Sequence, residues 1–217
     1  MNWDLLATYT PMYADALWVV VQLGFWGVFG SLILGALVAL VRHWKVPVVD
    51  RIAGGYIEVA RNTPSMVQLY FLYFGLPLIG VKASGFACAI AGLTFLGGAY
   101  MAEAIRSGLE AVREGQYRAA ASLGLSQTQT MRLVVLPQAL AVALPAITAN
   151  VIFLIKETSI VSIIAVVDLM ALTQNLIGMF YTSNEAYLML VISYLVLLLP
   201  VSIGLRALER RFRRGIA

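Results

Sequence analysis

Four consecutive polar side chains could handle a charged substrate: Lys156, Glu157, Thr158 and Ser159 follow the charge-free run Leu133–Ile155. Inside a membrane, an ionisable group costs on the order of 3 kcal/mol unless it pairs or faces a cavity. One interpretation is that these residues line a gate or bind the charged ends of a zwitterion. The alternative is a lysine that extends to the lipid headgroups beside a glutamate that bonds nearby backbone.

Two amides within apolar runs are weaker candidates for the same role. Asn150 lies one turn after Pro145, and Gln68 lies within the run Asn62–Val81. An amide at such a depth needs a polar partner. A substrate pathway and a helix–helix hydrogen bond satisfy that need equally well, so both interpretations stay open.

Most other chemistry is disfavoured by composition. Cys88 is the only cysteine and His43 the only histidine, so an internal disulfide and a thiolate metal cluster are impossible within this chain, and we expect no Ser-His-Asp triad. The sequence contains no GxxxxGK[ST] phosphate loop. We therefore expect no catalytic residue, no metal site and no directly bound cofactor, which argues against a membrane-embedded enzyme.

The elements that must position these residues are membrane-spanning helices. Of 217 residues, 61% are hydrophobic and 12% charged, against about 25% charged in a soluble domain. Charge-free runs of about 20 residues or more can each cross the bilayer as an α-helix, and here they are Ala16–Val41, Asn62–Val81, Ala83–Ala102, Leu133–Ile155 and Ala186–Leu205. We predict an all-α polytopic membrane protein, one transmembrane domain over residues 1–217, with lipid and not nucleic acid around it.

The basic residues predict the orientation. With the N-terminus outside, five spans place thirteen of the fifteen Lys and Arg residues on the cytoplasmic side and leave only Lys82 and Lys156. The first fifteen residues carry Asp4 and Asp15 but no base. We therefore expect the N-terminus outside, the C-terminus in the cytoplasm, and a first span that is retained as an anchor.

A sixth apolar stretch, Thr158–Asn184, is interrupted by Asp168. A full crossing there would send the arginine-rich tail outside, against the charge bias. We interpret it as a re-entrant or interfacial helix that is buried against the bundle, because its backbone ends cannot face lipid.

Residues 103–137 form a polar interruption between two spans. Arg106–Glu110 and Glu114–Arg118 are predicted i,i+4 ion pairs. Gly115 is expected to break the chain before a short helix, 117–123, which Gly124 ends. Ser126 and Gln129 have the spacing of a capping box. A short helix between glycine hinges could dock into a groove of a soluble partner, and an ordinary connecting loop is the alternative.

The loop also carries a family resemblance. GQYRAAASLGLSQTQTMRLVVLPQA resembles the EAA loop of ABC-importer permeases, whose pattern is Glu-Ala-Ala, three residues, Gly, nine residues, an aliphatic, one residue, Leu-Pro. Its flanks, GYIEVARNTPSMVQLYFLYFGLP and ALPAITANVIFLIKETS, are similar to the polar amino-acid branch of that family, the histidine, glutamine, glutamate and arginine type. The resemblance covers roughly residues 15–214. The matching positions are Ala119, Ala120, Gly124, Val134, Leu136 and Pro137.

The resemblance implies a type I ABC importer permease of the bacterial inner membrane that moves polar amino acids. Its partners would be a cytoplasmic ATPase dimer, an extracytoplasmic amino-acid-binding protein and a second permease copy or paralogue. ATP and Mg²⁺ would bind the ATPase. The loop would dock there as a coupling helix, through Gly115, Gln116, Arg118, Ala119, Ala120, Gly124, Leu136 and Pro137.

One residue departs from the pattern. Arg118 stands where the family usually has Glu, which predicts a compensating acidic group on the cognate ATPase. A stand-alone secondary carrier or channel for amino acids is the alternative function. It is weakened because the inverted repeats of many carriers are not visible here.

Overall fold

The computed structural model describes residues 3–181 and 183–214. The described residues form nine α-helices and no strand: α1 Trp3–His43, α2 Val49–Asn62, α3 Ser65–Tyr70, α4 Gly85–Glu110, α5 Glu114–Ser122, α6 Gln127–Thr130, α7 Leu136–Glu157, α8 Leu169–Phe180 and α9 Ser183–Arg214. Turns of π-helix at Phe71–Gly75 and Met131–Val135 and 3₁₀-helix at Leu76–Ile79 and Thr158–Ile164 extend some of them.

In the part of the chain that the structure describes, four stretches are long and apolar enough to cross a membrane: Leu6–His43, Gly85–Glu110, Gln127–Ile164 and Ser183–Phe212. They coincide with four of the five predicted spans, which are therefore confirmed. Each continues as helix beyond at least one end of the apolar run that predicted it.

The helix directions agree with the predicted topology. Gly27 packs against Leu93, and Gly35 packs against Met101, so α1 and α4 run the same way and the chain must cross back between them. Across α4, Gly97 faces Leu154 while Gly108 faces Ala139, so α7 runs the opposite way. The start of α9 lies beside the start of α1, since the Tyr13 hydroxyl donates to the carbonyl of Ala186 at 2.9 Å.

The return crossing differs from the continuous span predicted over 62–81. Helix α2 ends at Asn62, Thr63 is extended with φ −106° and ψ 132°, and a new helix begins at Ser65. Pro64 explains this break, because proline disfavours helical backbone at the preceding residue and has no N–H to donate. The apolar part, Ser65–Ile79, is about 22 Å long at 1.5 Å per residue, so this crossing is shorter than the bilayer core and irregular.

The re-entrant prediction for 158–184 is confirmed. Helix α8 is 12 residues long, and it connects the end of α7 to the start of α9 on one side of the bundle. Asp168 begins it by accepting a hydrogen bond from the backbone N–H of Ala171 at 2.9 Å. Ala165 and Tyr181 adopt left-handed backbone with φ 59° and 54°, and these two residues lie before and after α8.

Helix α4 is the centre of the bundle, since α1, α2, α3 and α7 all pack on it. Small residues allow these close approaches: a Cβ on Gly97 would overlap Ser31 Oγ and the side chain of Leu154. Ser31 is fully buried and donates to the Gly27 carbonyl at 2.6 Å and to the Leu93 carbonyl at 3.1 Å. The helices that pack on α4 are therefore held in fixed positions relative to it.

Candidate functional site

The polar loop folds as a compact helical unit at the end of α4. Helix α5 covers Glu114–Ser122, and Gly124 ends it in left-handed backbone with φ +75°. The predicted capping box is present, with Ser126 Oγ accepting from Gln129 N–H at 3.3 Å and Gln129 Oε1 accepting from Ser126 N–H at 2.9 Å. Pro137 lies in the first turn of α7, directly after the π-helical turn Met131–Val135.

The predicted break at Gly115 was wrong. Gly115 lies inside the first turn of α5, and the chain turns earlier, at Ala111–Arg113, where Arg113 is extended with ψ 142°. Nothing lies within 4 Å of a Cβ placed on Gly115. Glycine tolerates helical backbone as well as other conformations, so its presence in the sequence did not by itself locate the hinge.

Helix α5 has an anchored face and a free face. Ala120 is only 3% exposed, and Tyr117 packs against a buried cluster of Leu109, Val112, Val135 and Ala139, from the end of α4, the turn after it, the π-helical turn and α7. The predicted coupling residues separate accordingly. Ala120 is buried and Leu136 half-buried, whereas the others are exposed: Gly115, Gln116, Arg118, Ala119, Gly124 and Pro137.

Arg118, the residue with reversed charge, is paired within its own helix. Its Nη2 donates to Glu114 Oε1 at 2.8 Å, and both side chains are more than three-quarters exposed. The predicted i,i+4 pair is therefore confirmed, as is the pair of Arg106 with Glu110 at 2.7 Å. An exposed pair of this kind contributes about 0–1 kcal/mol, so it orients Arg118 more than it stabilises α5.

Above the loop, Glu103 of α4 joins three helices through arginines. Its carboxylate lies 3.0 Å from Arg106, 3.4 Å from Arg42 of α1 and 3.8 Å from Arg61 of α2. The cluster holds the end of α2 against the part of α4 that leads into the polar loop. The cluster could not be predicted from local sequence, because Arg42 and Glu103 are 61 residues apart.

Polar groups lie along α4 between α2–α3 on one side and α7 on the other, and we refer to this region as the cleft. Near mid-helix, Ser65 Oγ donates to Glu157 Oε2 at 2.9 Å. Further towards the cytoplasmic end, the Arg61 guanidinium lies 5.2 Å from the centre of the Tyr100 ring. Because the bilayer penalises exposed ionisable groups, their convergence on one cleft marks it as the candidate substrate site.

The candidate residues named from sequence divide between this cleft and local structural bonds. Glu157 joins the cleft through Ser65, and Asn150 Nδ2 donates to the Tyr100 carbonyl at 3.2 Å. Gln68 Nε2 donates to the carbonyls of Ala60 and Thr63 at 2.9 and 3.0 Å, so it satisfies backbone groups freed by the break at Pro64.

The other members of the Lys156–Ser159 group point elsewhere. Lys156 is exposed, and no described ion pair joins it to Glu157. Thr158 is buried, and its hydroxyl donates to the Ile155 carbonyl at 2.7 Å. Ser159 is half-buried. The structure therefore brings only Glu157 of these four to the cleft.

Several cleft residues were not predicted from the sequence to belong to a site: Glu58, Arg61, Asn62, Ser65 and Tyr100. The sequence did contain one clue, since Glu58 and Arg61 place opposite charges three residues apart directly before a proline that interrupts a crossing. Over residues 3–181 and 183–214, no group of three or more His, Cys, Asp and Glu side chains could hold a metal ion.

Comparison with known proteins gives the family. The family described as "Binding-protein-dependent transport system inner membrane component" matches residues 31–214. The chain belongs to this family. The permease is 32% identical over 215 residues to the probable glutamine ABC transporter permease protein GlnM of Bacillus subtilis (strain 168), a match that covers 99% of this chain and 100% of the relative. It is 31% identical over 214 residues to the glutamine transport system permease protein GlnP of Escherichia coli (strain K12), covering 98% of each.

Solved structures agree on the fold. A structure described as an amino acid ABC transporter with histidines is 34% identical and superposes with a TM-score of 0.89, covering 97% of this permease and 99% of that chain. The inward-facing MetNI methionine ABC transporter is 18% identical with a TM-score of 0.80, over 98% and 99% of the two chains. That second likeness supports the fold alone.

These findings confirm the predicted class. The permease has the fold of type I ABC importer permeases and is a multi-pass protein of the bacterial inner membrane. As a subunit of an ABC transporter it works with an ATPase that is a separate subunit. Family membership favours this role over a stand-alone secondary carrier.

Proposed function

We propose that this permease is the membrane subunit of an ATP-driven importer of polar amino acids. The observation that carries the proposal is end-to-end similarity to permeases named for glutamine, at 31–32% identity over at least 98% of the chain. The ionic character of the cleft supports it, because a carboxylate and a guanidinium on one cleft suit a zwitterionic substrate better than an apolar one.

The proposed assembly contains two permease subunits, either two copies of this chain or this chain and a paralogue. Each docks one subunit of an ATPase dimer, and an extracytoplasmic binding protein delivers the amino acid. ATP and Mg²⁺ bind the ATPase, and this chain binds neither. The second permease closes the open side of the cleft, so that ionisable groups exposed in one subunit face a shared pathway.

The docking surface in this proposal is the free face of α5 and the turn after it. Gly115, Gln116, Arg118, Ala119 and Gly124 contact the ATPase, with Pro137 nearby. Ala120 and Leu136 support this surface without contacting the ATPase, since they hold α5 against α4 and α7. A displacement of α5 by the ATPase would then move the ends of the two helices that line the cleft.

Within the pathway, Glu157 contacts the substrate and Ser65 orients its carboxylate. Asn150 and Gln68 position the cleft walls, α4 and the broken crossing. Lys156, Thr158 and Ser159 remain pathway candidates through their place at the end of α7, where a change in the 3₁₀ turn Thr158–Ile164 would redirect all three.

The proposal is tested with the permease and its ATPase in nanodiscs. Binding protein is loaded in turn with glutamine, histidine and cystine, and at least one of the three should raise ATP hydrolysis. Proteoliposomes should accumulate the stimulating amino acid only when ATP is supplied. Deletion of residues 114–124 should abolish ATPase binding. Amino-acid uptake by the permease alone, driven by an ion gradient, would instead establish a secondary carrier.

A further inference from the structure

A polar cavity lies in the cleft, separate from the contact of Ser65 with Glu157. It has a volume of about 220 Å³ and is lined by Glu58, Arg61, Asn62 and Tyr100. A single water needs only about 10–15 Å³ on the same measure. The cavity is therefore large enough for a small organic ion and not merely for a bridging water.

The cavity lies towards the cytoplasmic end of the permease. Leu154 packs at Gly97 of α4, and α7 runs opposite to α4, so Glu157 lies near the level of residue 94. Tyr100 is six residues further along α4, about 9 Å at 1.5 Å per residue. A substrate that leaves Glu157 for the cytoplasm would meet this cavity next.

The break in the return crossing forms one wall of the cavity. Irregular backbone is tolerated at membrane depth only where it is buried in protein or lines a polar cavity, and interrupted helices mark binding sites in many transporters. Here α2 ends at Asn62, and its last turn provides three of the four lining residues. The polar side chains of that turn project into the space that the break opens.

The two charged residues of the cavity are available to a ligand to different degrees. Glu58 Oε2 accepts a hydrogen bond from Asn62 Nδ2 at 2.9 Å, which orients the carboxylate. Arg61 is 42% exposed, and its contact with Glu103 at 3.8 Å is the longest of the described ion pairs. Glu103 is engaged more closely by Arg106, at 3.0 Å, so the Arg61 guanidinium keeps donors for another carboxylate.

The arrangement of charges selects the class of ligand. Residues three apart on a helix lie about 5–6 Å apart at Cβ, so one small molecule can reach both Glu58 and Arg61. A simple anion would be repelled by Glu58, and a simple cation by Arg61. A zwitterion satisfies both.

We propose that the cavity of Glu58, Arg61, Asn62 and Tyr100 is an exit-side binding site for the backbone of an α-amino acid. Arg61 binds the carboxylate, and Glu58 binds the ammonium group. The face of the Tyr100 ring stabilises the Arg61 guanidinium through a cation–π contact. The inference rests on the proposed function, since the amino acid arrives there through the importer.

The test is equilibrium binding to the permease–ATPase complex in nanodiscs, without binding protein or nucleotide. The probes are radiolabelled L-glutamine, L-histidine and L-cystine, and the one that stimulates ATP hydrolysis is carried forward. Its methyl ester lacks the carboxylate and its N-acetyl derivative lacks the ammonium group. Each derivative should bind at least roughly tenfold more weakly than the parent, the loss expected for one charge-assisted hydrogen bond.

The decisive result is a matched loss of discrimination. In Arg61→Gln the parent and its methyl ester should bind with similar affinity, whereas the N-acetyl derivative remains weak. In Glu58→Gln the pattern should reverse. A structural defect would weaken all three probes together, so this comparison separates recognition from folding. Arg51→Gln on the same helix is the control and should keep the wild-type pattern.

Two results would overturn the inference. One is that Arg61→Gln and Glu58→Gln discriminate among the parent amino acid, its methyl ester and its N-acetyl derivative as the wild type does. This result would overturn the inference even if Glu157→Gln lost binding. The other is displacement of the amino acid by phosphoethanolamine, or binding seen only in discs without phosphatidylethanolamine, which would assign the cavity to a lipid headgroup. If no amino acid stimulates ATP hydrolysis, the proposed function fails first, independently of this site.

Discussion

Ser65 and Glu157 are 92 residues apart in sequence, and the Ser65 hydroxyl donates to the Glu157 carboxylate at 2.9 Å. This bond joins the first residue of the helix after the Pro64 break to the last residue of α7. Ser65 begins α3 and Glu157 ends α7, so the bond ties the boundary of one helix to the boundary of the other. The bond therefore couples the two walls of the cleft.

Glu157→Gln should lower ATP-dependent uptake by roughly tenfold or more, since an interaction with a charged group contributes about 1.5–3 kcal/mol. Ser65→Ala removes only the orienting bond and should have a smaller effect. Initial uptake rates in proteoliposomes measure both, and thermal unfolding of the purified complex serves as the control for folding. Equal losses in uptake and in stability for the two variants would show that the pair is structural.

Arg118→Glu should weaken ATPase docking in two ways. It places two carboxylates at i,i+4 in α5, which costs a few tenths of a kcal/mol in helix stability, and it opposes the acidic group expected on the ATPase. Affinity of the ATPase for the permease in nanodiscs measures the sum.

The charge-swapped variant separates these contributions. Glu114→Arg combined with Arg118→Glu restores an ion pair within α5 but leaves the charges exchanged on the docking face. If the ATPase presents an acidic group to residue 118, the double variant should recover only the few tenths of a kcal/mol of the helix pair and still dock poorly. Full recovery in the double variant would leave the helix pair as the only role of Arg118.

The sequence predicted the permease architecture well because bilayer length and charge bias constrain it directly. Four spans, the re-entrant segment and the capping box at Ser126 all follow from local patterns. The cleft could not be predicted, since Arg61 and Tyr100 meet only when α2 folds onto α4. The break at Pro64 was not predicted, and nothing local specified which groups it would bring together.

Gly124 and Gly115 illustrate the limit of a glycine signal. Gly124→Ala forces a side chain into left-handed backbone, φ +75°, at a cost of about 1–2 kcal/mol. Gly115→Ala lies within α5 in open space and should stabilise the helix by about 0.5–1 kcal/mol. We expect ATPase coupling to fall in the first variant and to hold or rise in the second. If Gly115→Ala lost coupling while its affinity for the ATPase was unchanged, the result would show that Gly115 does act as a hinge.

Close packing on α4 gives the sharpest prediction of stability. Gly97→Val would drive a branched side chain into Ser31 of α1 and Leu154 of α7, and overpacking of this kind costs about 1–3 kcal/mol. The matched control is Gly204→Val on α9, where nothing lies within 4 Å of an added Cβ. Thermal unfolding of the detergent-solubilised permease should therefore shift down by several degrees for the first variant and little for the second. Because Gly97 holds both α1 and α7 to α4, the same variant should also separate Glu157 from Ser65, so its uptake should fall further than its stability alone explains.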